Sequence, residues 1–220
     1  RRIVAHHKEA VIYLVGNRVN GTEHLLDEGV IGLLNTPKNN YIIRDGWVWA
    51  ADNGCFNEKT YVGDGKWFAW LQKFTPAQRG GCLFATAPDV VGDHEATLDR
   101  SLPWLERIRD LGYKAAFVLQ DGATVDTVPW DRFDVAFVGG STEFKLGATA
   151  KGLIAEAQQR GKKVHVGRVN SQKRFLAFAH LGVDSSDGTF LGFGPEKNLP
   201  KLLGWIERHA TQPSLFGGAA

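Results

Sequence analysis

Residues 82–121 read CLFATAPDVVGDHEATLDRSLPWLERIRDLGYKAAFVLQD, and this stretch decides the fold class. Cys82–Ala87 is an apolar run of strand length ended by Pro88-Asp89. Asp93 has the character of an N-cap, and Leu98, Leu102, Leu105, Ile108 and Leu111 follow at helical spacing before Gly112. A second apolar run, Ala115–Leu119, ends in Gln120-Asp121-Gly122. Strand, helix, strand is one crossover unit. Runs apolar on both faces belong to parallel strands covered on both sides. Pro103 interrupts the helical span and predicts a kink or two shorter helices.

The same alternation extends in both directions. Strand candidates are Val11–Val15, Val30–Leu34, Trp47–Ala51, Val135–Val138, Val164–Val169 and Val183–Ser186. Helical candidates are Lys66–Phe74, Ala148–Arg160, Ser171–Leu181 and Leu199–His209, while the first, second and fifth crossovers read as short or irregular. Eight strand–helix units favour a closed barrel over an open doubly wound sheet. At 220 residues this predicts an α/β fold, a compact (β/α)8 TIM barrel with shortened helices. Residues 1–210 form one domain in this reading, and 211–220 a flexible tail.

Composition narrows the class. A hydrophobic content of 43% supports one sizeable core, and a net charge of +2 argues against a generally polybasic chain. No apolar run reaches the roughly 18 residues of a membrane span. Arg1, Arg2, His6 and His7 carry no secretory signal, so a cytoplasmic location is expected. Cys55 and Cys82 are too few for a disulfide framework or a thiolate zinc site. The seven histidines show no metal-ligand spacing, and no metal or cofactor is implied.

In a parallel barrel, function gathers where strands hand over to loops at their C-terminal ends. Asp52 and Asn53 follow the third strand, Asp89 the fourth, and Gln120 and Asp121 the fifth. Gly139-Gly140-Ser141 ends the sixth, Gly167-Arg168 the seventh, and Asp184 and Asp187 lie at the eighth. Singly, each has an ordinary reading. Asp52-Asn53-Gly54 makes a turn, Asp89 a helix entry, Gln120 a loop support, and the glycine pair a close packing contact. Lys173 and Arg174 read equally as a solvated helix face.

The ordered set resembles the tRNA-guanine transglycosylases over roughly Trp47 to Thr189. Asp52-Asn53-Gly54-Cys55-Phe56, Val118-Leu119-Gln120-Asp121-Gly122, Val138-Gly139-Gly140 and Gly182-Val183-Asp184-Ser185-Ser186-Asp187 are similar to that family's motifs, in the same order. The family's zinc-binding cysteines are absent and the chain is short, which makes it look like the small phage branch acting on DNA. The resemblance implies exchange of guanine in DNA for a 7-deazaguanine such as 7-cyano-7-deazaguanine. Asp187 would be the nucleophile, with Asp184 its local competitor, and Asp52 the general acid/base. Asp89, Gln120, Gly139, Gly140 and Phe56 would hold the base. Lys145, Arg168, Lys173 and Arg174 would meet phosphates. Implied partners are DNA ahead of RNA, the free bases, and an accessory DNA-recognition protein, in the cytoplasm of a host bacterium. The alternatives are an RNA-directed enzyme of the same family, a nucleoside or glycoside hydrolase on the same carboxylates, and a non-catalytic nucleic-acid-binding barrel.

Overall fold

The computed structural model describes residues 11–16 and 21–211. The expectations for Arg1, Arg2, His6, His7 and the tail 212–220 concern residues outside the described ones. Eight parallel strands close into a barrel in sequence order: β1 Ile12–Val15, β2 Gly32–Asn35, β3 Trp49–Ala51, β4 Cys82–Thr86, β5 Ala115–Leu119, β6 Val135–Val138, β7 Lys163–Val166 and β8 Ser185–Gly188. Closure comes from β1 pairing with β8, with Ile12 opposite Ser185 and Val15 opposite Gly188. The predicted TIM barrel is the observed fold.

The crossovers carry α1 Glu23–Asp27, α2 Asp64–Leu71, α3 Pro76–Gly80, α4 His94–Asp110, α5 Thr142–Leu146, α6 Ala148–Gln159, α7 Gln172–His180 and α8 Pro195–Thr211. Among the described residues, the first crossover holds only the five-residue α1, the second no helix, and the fifth a single 3-10 turn at Trp130–Arg132. Those are the crossovers whose sequences read as short or irregular. Local chemistry sets several helix starts. The side chains of Asp93, Ser141 and Ser171 accept the N–H groups of Ala96, Phe144 and Arg174. Thr75 and Gln78 form a reciprocal capping box on α3.

One expectation is corrected by α4. It runs as one helix of 17 residues through Pro103 and is not divided into two shorter ones. Proline removes the partner of the Asp99 carbonyl, but both Pro103 and Asp99 are exposed, so water can satisfy that group.

Alternation along the strands sorts side chains into two layers. Leu14, Ala50, Phe84, Ala116, Val118, Val135 and Phe137 fill the barrel interior. The opposite faces, including Tyr13, Leu33, Trp49, Phe117 and Val166, pack outward against helix residues such as Trp67, Leu105, Ile108 and Leu153. Fully burying each such side chain contributes roughly 1.5–3 kcal/mol. Asp52 lies two residues beyond Ala50, and Gln120 two beyond Val118. The inward register therefore carries both to the open end of the barrel. No helix among the described residues is long and apolar enough to cross a membrane.

Candidate active site at the barrel mouth

Asp187 is a buried, hydrogen-bonded carboxylate at the mouth. It lies within β8, facing inward, and is 7% exposed. Its Oδ2 lies 3.0 Å from His165 Nε2, and its Oδ1 accepts the Arg168 N–H at 3.3 Å. His165 on β7 is fully buried, and its Nδ1 lies 2.8 Å from Ser185 Oγ. Phe84 and Phe137 flank the imidazole at centroid distances of 4.7 and 4.5 Å. Gly167 leaves the space this arrangement needs, because a Cβ there would come within 2.7 Å of the Phe137 ring. Asp184, three residues earlier, is at the opposite end of the barrel wall. Its carboxylate holds Lys163 Nζ at 2.7 Å and the Val164 N–H at 2.8 Å. It is structural, which leaves Asp187 as the carboxylate of this strand at the mouth.

Asp52 follows β3 and is half-buried, and its Oδ1 accepts the Gly54 N–H at 2.8 Å. Burial raises its carboxyl to about 7; the Gly54 hydrogen bond opposes this, and the nearby charges of Asp89 and Asp187 add to it. That electrostatic coupling marks the three carboxylates as members of one site. Asp52 also lines a cavity of about 210 Å³ with Thr36, Lys38, Asn39, Asn53 and Phe56.

Asp89, which the resemblance implied would hold the base, is bound into a cluster of loop side chains. Its two oxygens already accept from Asn53 Nδ2 and Gln120 Nε2, both at 2.7 Å, and it is 7% exposed. Asn53 also donates to the Ala87 carbonyl, and Gln120 Oε1 accepts the Gly92 N–H. Burial still raises the Asp89 carboxyl against these bonds. The cluster fastens the loops after β3, β4 and β5 together. Asp89→Ala would strand the Gln120 amide, and we expect a loss of about 2–3 kcal/mol. For a chain of this size that is a fall in Tm of roughly 4–12 °C, read by thermal unfolding.

The glycine pair is likewise explained by packing. A Cβ on Gly139 would meet Val118 Cγ1 at 2.5 Å, and one on Gly140 would meet Asp121 Oδ2 at 2.6 Å. Gly140 has φ +69°, and Asp121 accepts both Ser141 N–H and Ser141 Oγ–H, tying the loops after β5 and β6.

The proposed phosphate contacts fare unevenly. Lys145 is corrected: it is 4% exposed, and its Nζ donates to the Gly167 carbonyl at 2.8 Å. Burial lowers its ammonium to about 8, with the charge of Arg168 adding to this and Asp187 opposing it. It fixes the turn after β7 rather than facing solvent. Arg168 adopts φ +59° and donates Nη2–H to the Gly140 carbonyl, while its guanidinium lies 4.6 Å from the centre of the Phe56 ring. Phe56 is 63% exposed and has this cation on one face. Arg174 is half-buried, and Lys173 alone of the four is fully exposed. Among the described residues no cluster of His, Cys, Asp and Glu could hold a metal ion. The sequence reading missed His165; its only signal was one polar residue at an inward position in Lys163-Val164-His165-Val166.

No family model matches the chain, and no curated protein does. Solved structures do. The chain resembles a mutant tryptophan synthase alpha-subunit from Pyrococcus furiosus with TM-score 0.54 and 15% identity, covering 90% of this chain and 96% of that one. An aldolase titled 4-hydroxy-2-oxoglutarate aldolase/2-deydro-3-deoxyphosphogluconate aldolase, from TTHB1, gives TM-score 0.56 at 13% identity over 91% and 92%. The Amycolatopsis orientalis BexX/CysO complex gives TM-score 0.57 at 13% identity over 99% and 96%. At these identities the likeness is one of barrel fold. Against the expectation of DNA guanine exchange, these neighbours are tryptophan synthase alpha-subunit, aldolase and BexX/CysO barrels, with no guanine transglycosylase among them. Of the residues that carried that expectation, Asp89, Gly139 and Gly140 brace the loops at the mouth, and Asp184 braces the opposite end of the barrel.

Proposed function

We propose that this protein is an acid–base hydrolase that cleaves a C–O or C–N bond in a small polar substrate. Asp187 is the general base that takes a proton from water, and Asp52 the general acid that protonates the leaving group. The observation that carries the reading is a difference between two coupled carboxylates at one mouth. Asp187 is fixed as an acceptor by His165 and Arg168, while Asp52 retains a proton up to about pH 7. A carboxyl raised by burial suits the acid, and a carboxylate held in place by fixed donors suits the base. Both Asp187 oxygens already accept hydrogen bonds, which suits proton transfer to a bound water better than bond formation to carbon.

The cavity beside Asp52, which Asp187 does not line, bounds the part of the substrate held on that side. About 210 Å³ is below the range of roughly 300–1,000 Å³ typical of sites for drug-sized ligands. Its amide and hydroxyl lining, with the Phe56 ring at one side, suits a single sugar-sized ring carrying several hydroxyls. The test is a panel of nucleosides and p-nitrophenyl glycosides, incubated at pH 6 with chelator present. We expect release of free base or nitrophenolate, both lost in Asp187→Asn, with release of the free base lost in Asp52→Asn. Release that persists in both variants, or none from any panel member, would remove this reading.

A further inference from the structure

We infer that His165 is a positioning residue for Asp187, its single ring proton directed by Ser185. The inference rests on the hydrolase reading for its catalytic consequence, but the hydrogen-bond geometry stands apart from it. A carboxylate cannot donate, so the 3.0 Å contact requires the proton on His165 Nε2. In a ring with that single proton Nδ1 is the acceptor, and at 2.8 Å Ser185 is placed to donate its hydroxyl proton to it. One ring proton satisfies both contacts.

The same three residue types in a row invite comparison with a nucleophilic serine, and the topology excludes it here. Ser185 and Asp187 lie two apart on β8, both facing inward. Ser185 is therefore about 6.6 Å deeper along the strand. In register with it are Ile12 on β1 and His165 on β7, with Phe137 beyond, and Ser185 is itself buried, so no substrate reaches its hydroxyl. The chain of hydrogen bonds points outward instead, from Ser185 through His165 to Asp187 at the mouth.

A ring between two phenyl groups could be there for packing alone, and an apolar residue would then serve. The polar contacts argue otherwise. A buried imidazole with both nitrogens engaged fixes the rotation of Asp187 about its χ2 bond, leaving Oδ1 toward the turn after β7. That turn is itself held by Lys145 on the Gly167 carbonyl and by Arg168 on the Gly140 carbonyl. Asp187 is thus oriented from two sides. A displacement of about 1 Å in such a group can cost on the order of 100-fold in rate.

The test joins one readout that needs no activity with one that does. Nitrogen-15 NMR of the ring in the full chain near neutral pH should show the proton on Nε2, and Ser185→Ala should abolish that single form. A proton on Nδ1, or a spectrum unchanged in Ser185→Ala, would overturn the inference even if the protein hydrolyses every panel compound. With p-nitrophenyl ribofuranoside, His165→Phe should lower kcat about 100-fold with KM changed less than about twofold. His165→Gln, which keeps a donor near the Nε2 position, should recover at least tenfold of that loss. Equal rates for the Phe and Gln variants, both folded by circular dichroism, would mean that the ring only packs. Absence of hydrolysis together with the Nε2 tautomer would remove the hydrolase reading and leave the positioning intact.

Discussion

Asp187→Asn is expected to lower kcat by about 10²–10⁴-fold while leaving the fold in place. Asparagine matches the carboxylate in shape and can still face His165, so the barrel should lose little. What it lacks is proton affinity, and a base without it cannot activate water. Steady-state kinetics on a panel substrate, beside a thermal melt, separates the two effects. A variant retaining more than a tenth of wild-type kcat would exclude Asp187 as the base. Asp184→Asn provides the contrast: it touches Lys163 and Val164 at the far end of the barrel, so stability should suffer and kcat should not.

Asp52→Asn has two consequences, and their pH dependence follows from one sign. The folded protein holds the Asp52 proton to about pH 7, above the usual carboxyl range near 3.9. The stability this contributes is fully present below about pH 4, is lost as pH rises toward 7, and is absent above. A rise of this size corresponds to up to about 4 kcal/mol, and solvent access at the half-buried residue brings the expected effect nearer 2 kcal/mol. Asparagine keeps the acceptor for the Gly54 N–H and never ionises. The variant should therefore match wild type at pH 4 and exceed it by about 4–8 °C in Tm at pH 8. Activity moves the other way. On a nucleoside, wild-type kcat should fall as pH rises through 7, when the acid loses its proton, and the variant should be slow throughout. A Tm difference independent of pH would show that Asp52 is ionised in the folded protein at neutral pH.

The barrel was legible in the sequence because its strands are apolar on both faces. Ala115–Leu119 and Val135–Val138 were read to the residue. The eighth strand was read two residues early, at Val183–Ser186, because its actual members Ser185–Gly188 are poor strand formers. Pairing with β1 and β7 imposes the strand there, against local preference. The slip matters, since it moves Asp187 from a loop to an inward position in the wall. Pro103 was misread for the converse reason: a local breaker is tolerated where its orphaned carbonyl meets water.

The site was partly legible. Polar residues at strand ends were visible as a set, and Asp52, Asp89, Gln120 and Asp187 do converge. Their division of labour was not visible, because it depends on which oxygens are already occupied. Asp89 is satisfied by two amides and Asp187 by an imidazole and a backbone N–H, while Asp52 keeps its proton. Lys145 shows the limit of reading charge from sequence. A lysine on a short helix is normally solvated, and only the three-dimensional turn at Gly167 draws it inward. The resemblance to the transglycosylases matched strand-end residues, several of which brace the barrel, and that bracing carries no information about a reaction.

The most direct test of the acid–base pair compares leaving groups. Wild type, Asp52→Asn and Asp187→Asn would each be assayed on a nucleoside and on the corresponding p-nitrophenyl glycoside. Nitrophenolate departs without a proton, so it makes a general acid dispensable. We predict that Asp52→Asn is severely impaired on the nucleoside and within about tenfold of wild type on the nitrophenyl substrate. Asp187→Asn should be equally impaired on both, because water must be activated in either case. Equal loss on the two substrates in Asp52→Asn would contradict its role as the acid, and with it the account of this mouth as a paired acid and base.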